Sequence, residues 1–177
     1  MRSGNIVAAL VAVLLVTSCT PQNDVEKIDG FKDLKFGLTQ SDLKQMGINC
    51  EDDEGVILCS GVDGKKRTFL GQDARVNISI NDEGQLEIID VTIDTPCEEV
   101  IPKVSQNLGK ASSYEYPTIF GGRATMYFWK SDNGNSLSLA TISAHINNFC
   151  TMSYNDNERT KWIIEDFEKN RLNQSDL

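Results

Sequence analysis

The chain has 177 residues, with 26 acidic against 17 basic side chains and a formal net charge of -9 at pH 7. Nucleic-acid-binding domains need a basic footprint, and adhesion to anionic lipid headgroups needs clustered lysine and arginine. The charge balance argues against both classes. Once short terminal segments are set aside, the length suits one ordinary domain with its own core.

The first residues have the order of an export signal. Arg2 gives a positive start, an apolar run extends from Ile6 to Val16, and small residues follow before Cys19. This run of about eleven residues is shorter than the roughly 20 needed to span a bilayer as a helix. We therefore expect residues 1–18 to be a cleaved signal peptide rather than a transmembrane anchor.

The end of this segment, Val16-Thr17-Ser18-Cys19, resembles the lipobox of bacterial lipoproteins. The resemblance implies cleavage between Ser18 and Cys19 and acylation of Cys19, and two or more acyl chains anchor a protein stably to a membrane. Because Thr20 rather than Asp follows the cysteine, the family's sorting rule in enteric-type bacteria implies the outer membrane, facing the periplasm. The alternative is an ordinary secretory peptide cut nearby, with Cys19 left as an unmodified thiol.

A polar stretch, residues 19–30, follows the signal, and its bulky aliphatic residues are Val25 and Ile28. We expect this stretch to be a flexible tether, which would span roughly 18 Å as a coil. Residues 31–177 are then predicted to form a single domain.

The first predicted helix begins after Thr39. Thr39 and Asp42 have the spacing of a capping box, Leu38 and Leu43 have that of a hydrophobic staple, and Gly47 ends the helix.

The segment Phe36-Gly37-Leu38-Thr39-Gln40, followed by Asp42-Leu43 and Met46-Gly47, is similar to the helix opening of the small SmpA/OmlA-type outer-membrane lipoproteins, which help the β-barrel assembly machine. The similarity covers about a dozen residues. The chain departs from that pattern in its cysteines and in lacking a Gly-x-Pro after the helix. The resemblance implies a two-layer α+β domain with helices on an antiparallel sheet.

Four cysteines remain in the domain besides Cys19, an even number that suits an oxidising compartment. They allow three pairings, and the short separation of Cys50 and Cys59 across an apparent hairpin favours joining these two and joining Cys97 to Cys150. The chain has no CxxC motif, so neither a redox pair nor a zinc site is favoured.

A second helix is predicted from Thr95-Pro96-Cys97-Glu98, with Thr95 as the cap and Pro96 at the first helical position. Its apolar face would end before Gly109. Pro102 lies inside this pattern, and an internal proline usually kinks or breaks a helix, so we expect a bent or interrupted element.

Segments with a period of two follow each helix. Two hairpins are predicted, at the turns 81–84 and 131–135, with a last strand over residues 148–154. Their spacing indicates a helix-plus-hairpin unit that occurs twice. A C-terminal helix is predicted from about Glu158 to Arg171. Its buried side would carry four large apolar residues, Trp162, Ile163, Ile164 and Phe167.

Evidence for catalysis is sparse. His145 is the one histidine, and no nucleophile elbow or HExxH helix accompanies it. The acidic run Glu51-Asp52-Asp53-Glu54 could offer oxygen ligands to calcium, or it could be a solvated turn. We expect neither an enzyme nor a bound metal or cofactor.

The stretch from Tyr114 to Arg123 is the candidate recognition segment. Tyrosine and arginine are enriched at interaction hot spots, and the residues proposed to bind are Tyr114, Tyr116, Phe120 and Arg123. Core strands joined by a hairpin would explain the same pattern.

Two classes of function remain. The favoured class is a non-catalytic module, anchored to the membrane by lipid, that binds another envelope protein in assembly or as a structural partner. Acidity and disulfides also suit an inhibitor of a basic cell-wall hydrolase such as lysozyme. The other class is a carboxylate- or metal-dependent enzyme, which would need acidic groups that converge in a cleft.

Overall fold

The structure is a computed structural model, and it describes residues 28–53, 56–60, 62, 66–117, 123–142 and 148–174. These residues form eleven strands and three helices. In chain order the elements are β1 (Gly30–Phe31), β2 (Leu34–Lys35), α1 (Gln40–Gln45), β3 (Asn49–Asp53), β4 (Val56–Ser60), β5 (Arg67–Phe69), β6 (Gln72–Ile80), β7 (Leu86–Ile93), α2 (Cys97–Leu108), β8 (Ser112–Pro117), β9 (Arg123–Lys130), β10 (Ser136–Ile142), β11 (Cys150–Asn155) and α3 (Asn157–Gln174).

The main sheet has seven antiparallel strands in the order β5-β6-β7-β11-β10-β9-β8. It consists of two meanders, each preceded by a helix, that meet through their last strands, β7 and β11. Two small hairpins, β1–β2 and β3–β4, lie outside it. The predicted α+β class, with helices on an antiparallel sheet, is confirmed.

The two hairpins predicted as repeats do not occupy equivalent places in this sheet. The hairpin β6–β7 ends the first meander, whereas β9–β10 is the middle of the second. By position, the counterpart of β6–β7 is β10–β11. Treating the two predicted hairpins as equivalent therefore misaligned the halves by one strand.

One side of the sheet, the core face, carries the hydrophobic core. A single cross-strand row shows its composition, running through Val76, Val91, Met152, Leu139 and Tyr127. The first four of these side chains are at most 2% exposed. The helices α1 and α2 add buried aliphatic side chains to the same cluster, among them Leu43, Val100 and Val104.

Helix α1 has the predicted ends. Thr39 caps it, with the Asp42 backbone N–H donating to Thr39 Oγ1 and the Thr39 N–H donating to Asp42 Oδ2 at 2.9 Å. Leu43, the inner partner of the predicted staple, is fully buried. The capping box fixes where the chain enters the core.

Helix α2 differs from the prediction at its start. Pro96 is the N-cap residue and no side chain caps the helix. The Thr95 hydroxyl donates instead to Gln72 Oε1 at 2.7 Å, so the assignment of Thr95 as a cap was wrong. The helix also runs through Pro102 without interruption.

The strand β7 carries a bulge that sequence alternation did not predict. Ile80 pairs with Leu86, but Ser79 pairs with Ile88, so Glu87 is an extra residue. An inserted residue reverses the alternation beyond it. Leu86 and Ile89 therefore share the core face, and Ile88 lies on the other face.

Helix α3 lies against the opposite side of the sheet, the α3 face. The Ser136 and Thr160 hydroxyls are 2.8 Å apart across this contact, and Phe128 beneath is 5% exposed. The prediction that Trp162 is buried was wrong, because it is 54% exposed. Ile163, Ile164 and Phe167 are half-buried.

Both predicted disulfides are present. Cys50 and Cys59 lie opposite each other on β3 and β4, with Cα atoms 4.0 Å apart. Cys97 at the start of α2 joins Cys150 at the start of β11, with a Cα separation of 4.7 Å. The second bridge ties the helix layer to the centre of the sheet.

The folded domain begins earlier than predicted. Ile28, placed in the tether by the sequence, is 6% exposed, and its carbonyl accepts from the Asn135 side chain at 2.6 Å. Residues 28–30 therefore belong to the domain. The signal peptide, Ser18, Cys19 and the remaining tether lie outside the described residues.

Candidate functional site

An aromatic surface joins β8, an edge strand of the sheet, to α3. We define the aromatic surface as Tyr114, Tyr116, Arg159, Trp162 and Phe167. The Tyr114 and Phe167 rings stack with centroids 5.3 Å apart and an interplanar angle of 10°, and the Tyr116 ring is tilted against Phe167 at 5.9 Å. Alternation along β8 puts both tyrosines on the α3 face, and that is why both can reach one helix residue.

Arg123, a third predicted recognition residue, does not join this surface. Arg123 forms an exposed ion pair with Glu115 at 3.1 Å, and both side chains point to the opposite side of β8 and β9 from the tyrosines. Phe120 lies outside the described residues, as do Glu54 and His145.

Trp162 extends the aromatic surface into solvent. The Arg159 guanidinium lies 4.1 Å from the centroid of the Trp162 ring, a cation–π distance, which restrains the indole while leaving one side of it open. Arg159 Nε is buried and has no hydrogen-bond partner among the described residues. An exposed aromatic ring held by a neighbour can bind a partner with little loss of side-chain entropy.

A second feature of the same face is a fork in the sheet between β10 and β11. Their pairing ends at Leu139 and Met152. Beyond that point in the described ladders, residues 140–142 have partners on β9 only, and Cys150 and Thr151 have partners on β7 only. The strands diverge, and a cavity of about 240 Å³ opens between them.

This cavity, the sheet cleft, is partly apolar. Met126 and the Cys97 sulfur contribute apolar wall, and Ala140 leaves room because its side chain is small. Phe149 lies at the cleft and is 46% exposed. Cys97 Sγ lies 4.0 Å from the Ala140 carbonyl oxygen, so the Cys97–Cys150 bridge lies against the fork.

The sheet cleft and the aromatic surface are connected through Met126. Met126 pairs with Tyr114 on one side and with Ala140 on the other, so all three side chains share one cross-strand row of the α3 face. Of the four large apolar side chains that are exposed in the described structure, three belong to this side: Tyr114, Phe149 and Trp162. Leu70 lies elsewhere, beside a separate apolar pocket at the end of α2.

Polar side chains separate the sheet cleft from the start of α3. The Ser153 hydroxyl donates to Asp90 Oδ1 at 2.5 Å, and the Asn155 amide donates to the Ser138 hydroxyl at 3.1 Å. Asn155 and Ser138 are buried. Because their hydrogen bonds are made within the protein, they stabilise the sheet under α3 rather than leaving reactive groups free.

Several charged groups lie close together at the start of α3. Partial burial raises the pKa of Glu87 above its ordinary value, the nearby Asp156 carboxylate raises it further, and Arg159 opposes the shift. Asp156 itself accepts from the Arg159 backbone N–H at 2.8 Å, as an N-cap residue does. This cluster positions Arg159, and hence the base of the aromatic surface.

The acidic run does not form a ligand cage in the described residues. Asp52 points to the opposite side of β3 from Glu51, because successive strand residues alternate. Glu51 and Asp52 are exposed. Nowhere in the described parts of the chain do three or more His, Cys, Asp or Glu side chains lie together as metal ligands would.

Sequence reasoning missed several members of this site, among them Met126, Phe149, Arg159 and the exposed Trp162. A stricter use of helical spacing would have placed Trp162 correctly, because Thr160, Ile163, Ile164 and Phe167 alone have the i, i+3, i+4, i+7 spacing of a buried stripe. Phe149 precedes a buried cysteine, and alternation would have put it on the other face. The fork itself has no sequence signal.

Comparisons with protein-family models, characterised proteins and solved structures give no significant match to this chain. In the part of the chain that the structure describes, none of the helices has the length and apolarity to cross a membrane.

Proposed function

We propose that this protein is a lipid-anchored lipoprotein of the bacterial cell envelope and a non-catalytic module that binds another envelope protein through the aromatic surface. The observation that carries the binding proposal is the stack of Tyr114 on Phe167, with the exposed Trp162 on the same helix. Rigid, amphipathic aromatics with an adjacent arginine are the side chains most often found at binding hot spots.

The placement of these residues supports the proposal in a second way. Exposed apolar side chains scattered singly over a surface need no explanation, but Tyr114, Phe149 and Trp162 lie on one side of the sheet. Contiguous exposed apolar surface in a soluble domain marks interaction sites. The lipid anchor would keep this domain at the membrane, where its partner would be met.

The anchoring half of the proposal is tested by intact mass spectrometry of protein purified from detergent-solubilised membranes. We expect loss of residues 1–18, added acyl chains on Cys19, and a gain on reduction of two hydrogens for each of the disulfides. An unlipidated mass would overturn the anchor.

The binding half is tested by co-purification of envelope proteins with the Trp162→Ala variant. We expect a partner to be lost, because hot-spot truncation commonly costs about 2 kcal/mol or more of binding free energy. Leu70→Ala is the control, since Leu70 is also an exposed large apolar side chain but lies away from the aromatic surface. A partner retained equally by both variants would contradict the proposal.

Inhibition of a basic hydrolase is the second candidate function, and the excess of acidic residues favours it. The same purified protein can be added to lysozyme with a cell-wall substrate. Inhibition that disappears in Trp162→Ala would identify this class of partner.

A further inference from the structure

We infer that the sheet cleft binds one bulky apolar side chain carried on an extended, basic segment of the partner protein. The inference deepens the proposed function and rests on it. It assigns to the partner a local conformation, a central residue type and a charge.

The size of the cleft favours a single side chain. Its volume of about 240 Å³ is below the roughly 300 to 1,000 Å³ typical of pockets that hold whole small molecules. Met126 gives it an apolar wall, and Phe149 stands exposed beside it. One aliphatic or aromatic side chain would fill the space and cover the Phe149 ring.

The fork favours an extended backbone. A β-strand inside a sheet is normally paired on both sides, but residues 140–142 of β10 have β9 partners and no β11 partners in the described ladder. Backbone N–H and C=O groups that a ladder leaves unpaired need hydrogen-bond partners from outside it. A segment that enters as a strand can supply such partners, as in β-strand addition to exposed edges.

The charge around the cleft favours a basic segment. Ser153, which lines the cleft, donates to the Asp90 carboxylate. Cys97, also in the lining, is followed by the exposed Glu98 and Glu99 in the first turn of α2. Lysine or arginine beside the inserted apolar residue would complement these carboxylates and speed association at low salt.

Arg75, a base on this face, does not neutralise the carboxylates of the cleft. It lies next to Thr92 in the cross-strand register and is paired with Asp94 at 2.9 Å. Its charge is therefore already matched. An acidic segment would be repelled by Asp90 and by both glutamates, so the cleft selects against it.

The test is selection of heptapeptides from a random phage-displayed library on the full mature lipoprotein in detergent micelles. Phages that also bind the Thr151→Trp variant are removed first, because the indole at this position would fill the cleft. We expect enriched peptides to share one bulky apolar residue flanked by Lys or Arg. Replacing that residue by Ala should weaken binding at least about tenfold, given what burial of such a side chain contributes.

Two further measurements examine the backbone and the salt dependence. N-methylation of amides next to the apolar residue should abolish binding of a selected peptide, and raising the salt concentration should weaken it. Thr68→Trp on β5 is the matched control, since Thr68 is also an exposed strand threonine, and it should bind as the unmodified protein does. If Thr151→Trp does not fold, Ala140→Leu replaces it.

Failure of this inference can be told apart from failure of the proposed function. Selection that yields no peptide dependent on the cleft, or that yields acidic peptides, would overturn the inference. If an envelope partner is nevertheless lost in Trp162→Ala and retained in Thr151→Trp, the proposed function stands without the cleft. If no variant changes partner capture, both are overturned.

Discussion

Tyr114 of the last strand and Phe167 of α3 stack with their ring centroids 5.3 Å apart, and this pair fastens the C-terminal helix to the far edge of the sheet. Aromatic pairs of this kind are worth about 0.5 to 1.5 kcal/mol beyond area burial. A double-mutant cycle of Tyr114→Ala and Phe167→Ala, followed by urea unfolding, should give a coupling energy of about 1 kcal/mol. Coupling near zero would show that the two rings do not support each other.

The two disulfides should contribute unequally to stability. In the chain-entropy model the short Cys50–Cys59 loop is worth about 2.7 kcal/mol and the Cys97–Cys150 loop about 4 kcal/mol. Cys150 is also fully buried in the core. Replacing both cysteines of a pair by serine and measuring urea unfolding should therefore show the larger loss for the Cys97–Cys150 variant. The reverse order would contradict the assignment of this bridge to the core.

Glu87 should make stability depend on pH in a defined direction. Its folded-state pKa is raised above the ordinary 4.5, first by burial and then by Asp156. The folded state then binds the proton more tightly than the unfolded state, so this residue lowers stability as pH rises through the window that begins at 4.5. Glu87→Gln should raise the melting temperature at pH 7, and the gain should shrink below pH 4.5.

The control for that experiment is Glu83→Gln, which removes one negative charge from the neighbouring exposed turn. It should change the melting temperature less than Glu87→Gln does at pH 7. Equal effects of the two variants would mean that net charge, rather than the surroundings of Glu87, is responsible.

The capping box of α1 should make stability depend on pH in the opposite direction to Glu87, so that stability falls in acid. Hydrogen bonds from Thr39 hold the pKa of Asp42 below its ordinary value of 3.8. The stabilisation is then present above pH 3.8 and is lost as pH falls through the lower folded-state value. Asp42→Asn should lower the melting temperature at pH 7, and the difference should disappear in strong acid. A difference that persists at the lowest pH would rule out the carboxylate as its source.

The elements that the sequence predicted well are those governed by local chemistry. Thr39 and Asp42 determine the start of α1 through a few adjacent hydrogen bonds, and Cys50 and Cys59 are brought opposite each other by one short hairpin. Both features depend on residues close in the chain, so their spacing was sufficient to identify them.

The features that the sequence did not predict depend on distant strands. The fork arises because the end of β10 stays paired with β9 while the start of β11 stays paired with β7. The strands β9 and β7 are far apart in the chain. Thr95 has the sequence position of a helix cap, but its hydroxyl donates instead to Gln72 of the distant strand β6. The candidate site combines β8, β10, β11 and α3. Of the predicted recognition residues that the structure describes, it brings together Tyr114 and Tyr116 and leaves Arg123 apart.

The most direct test of the central claim is photo-cross-linking in the native cell from a benzoylphenylalanine placed at position 162. We expect an adduct with one envelope protein. The adduct should be weakened by Tyr114→Ala, and it should be absent when the probe is moved to position 68 on the exposed strand β5. No adduct from position 162 in membrane-anchored protein, or the same adducts from positions 162 and 68, would contradict the claim that this chain binds a partner through its aromatic surface.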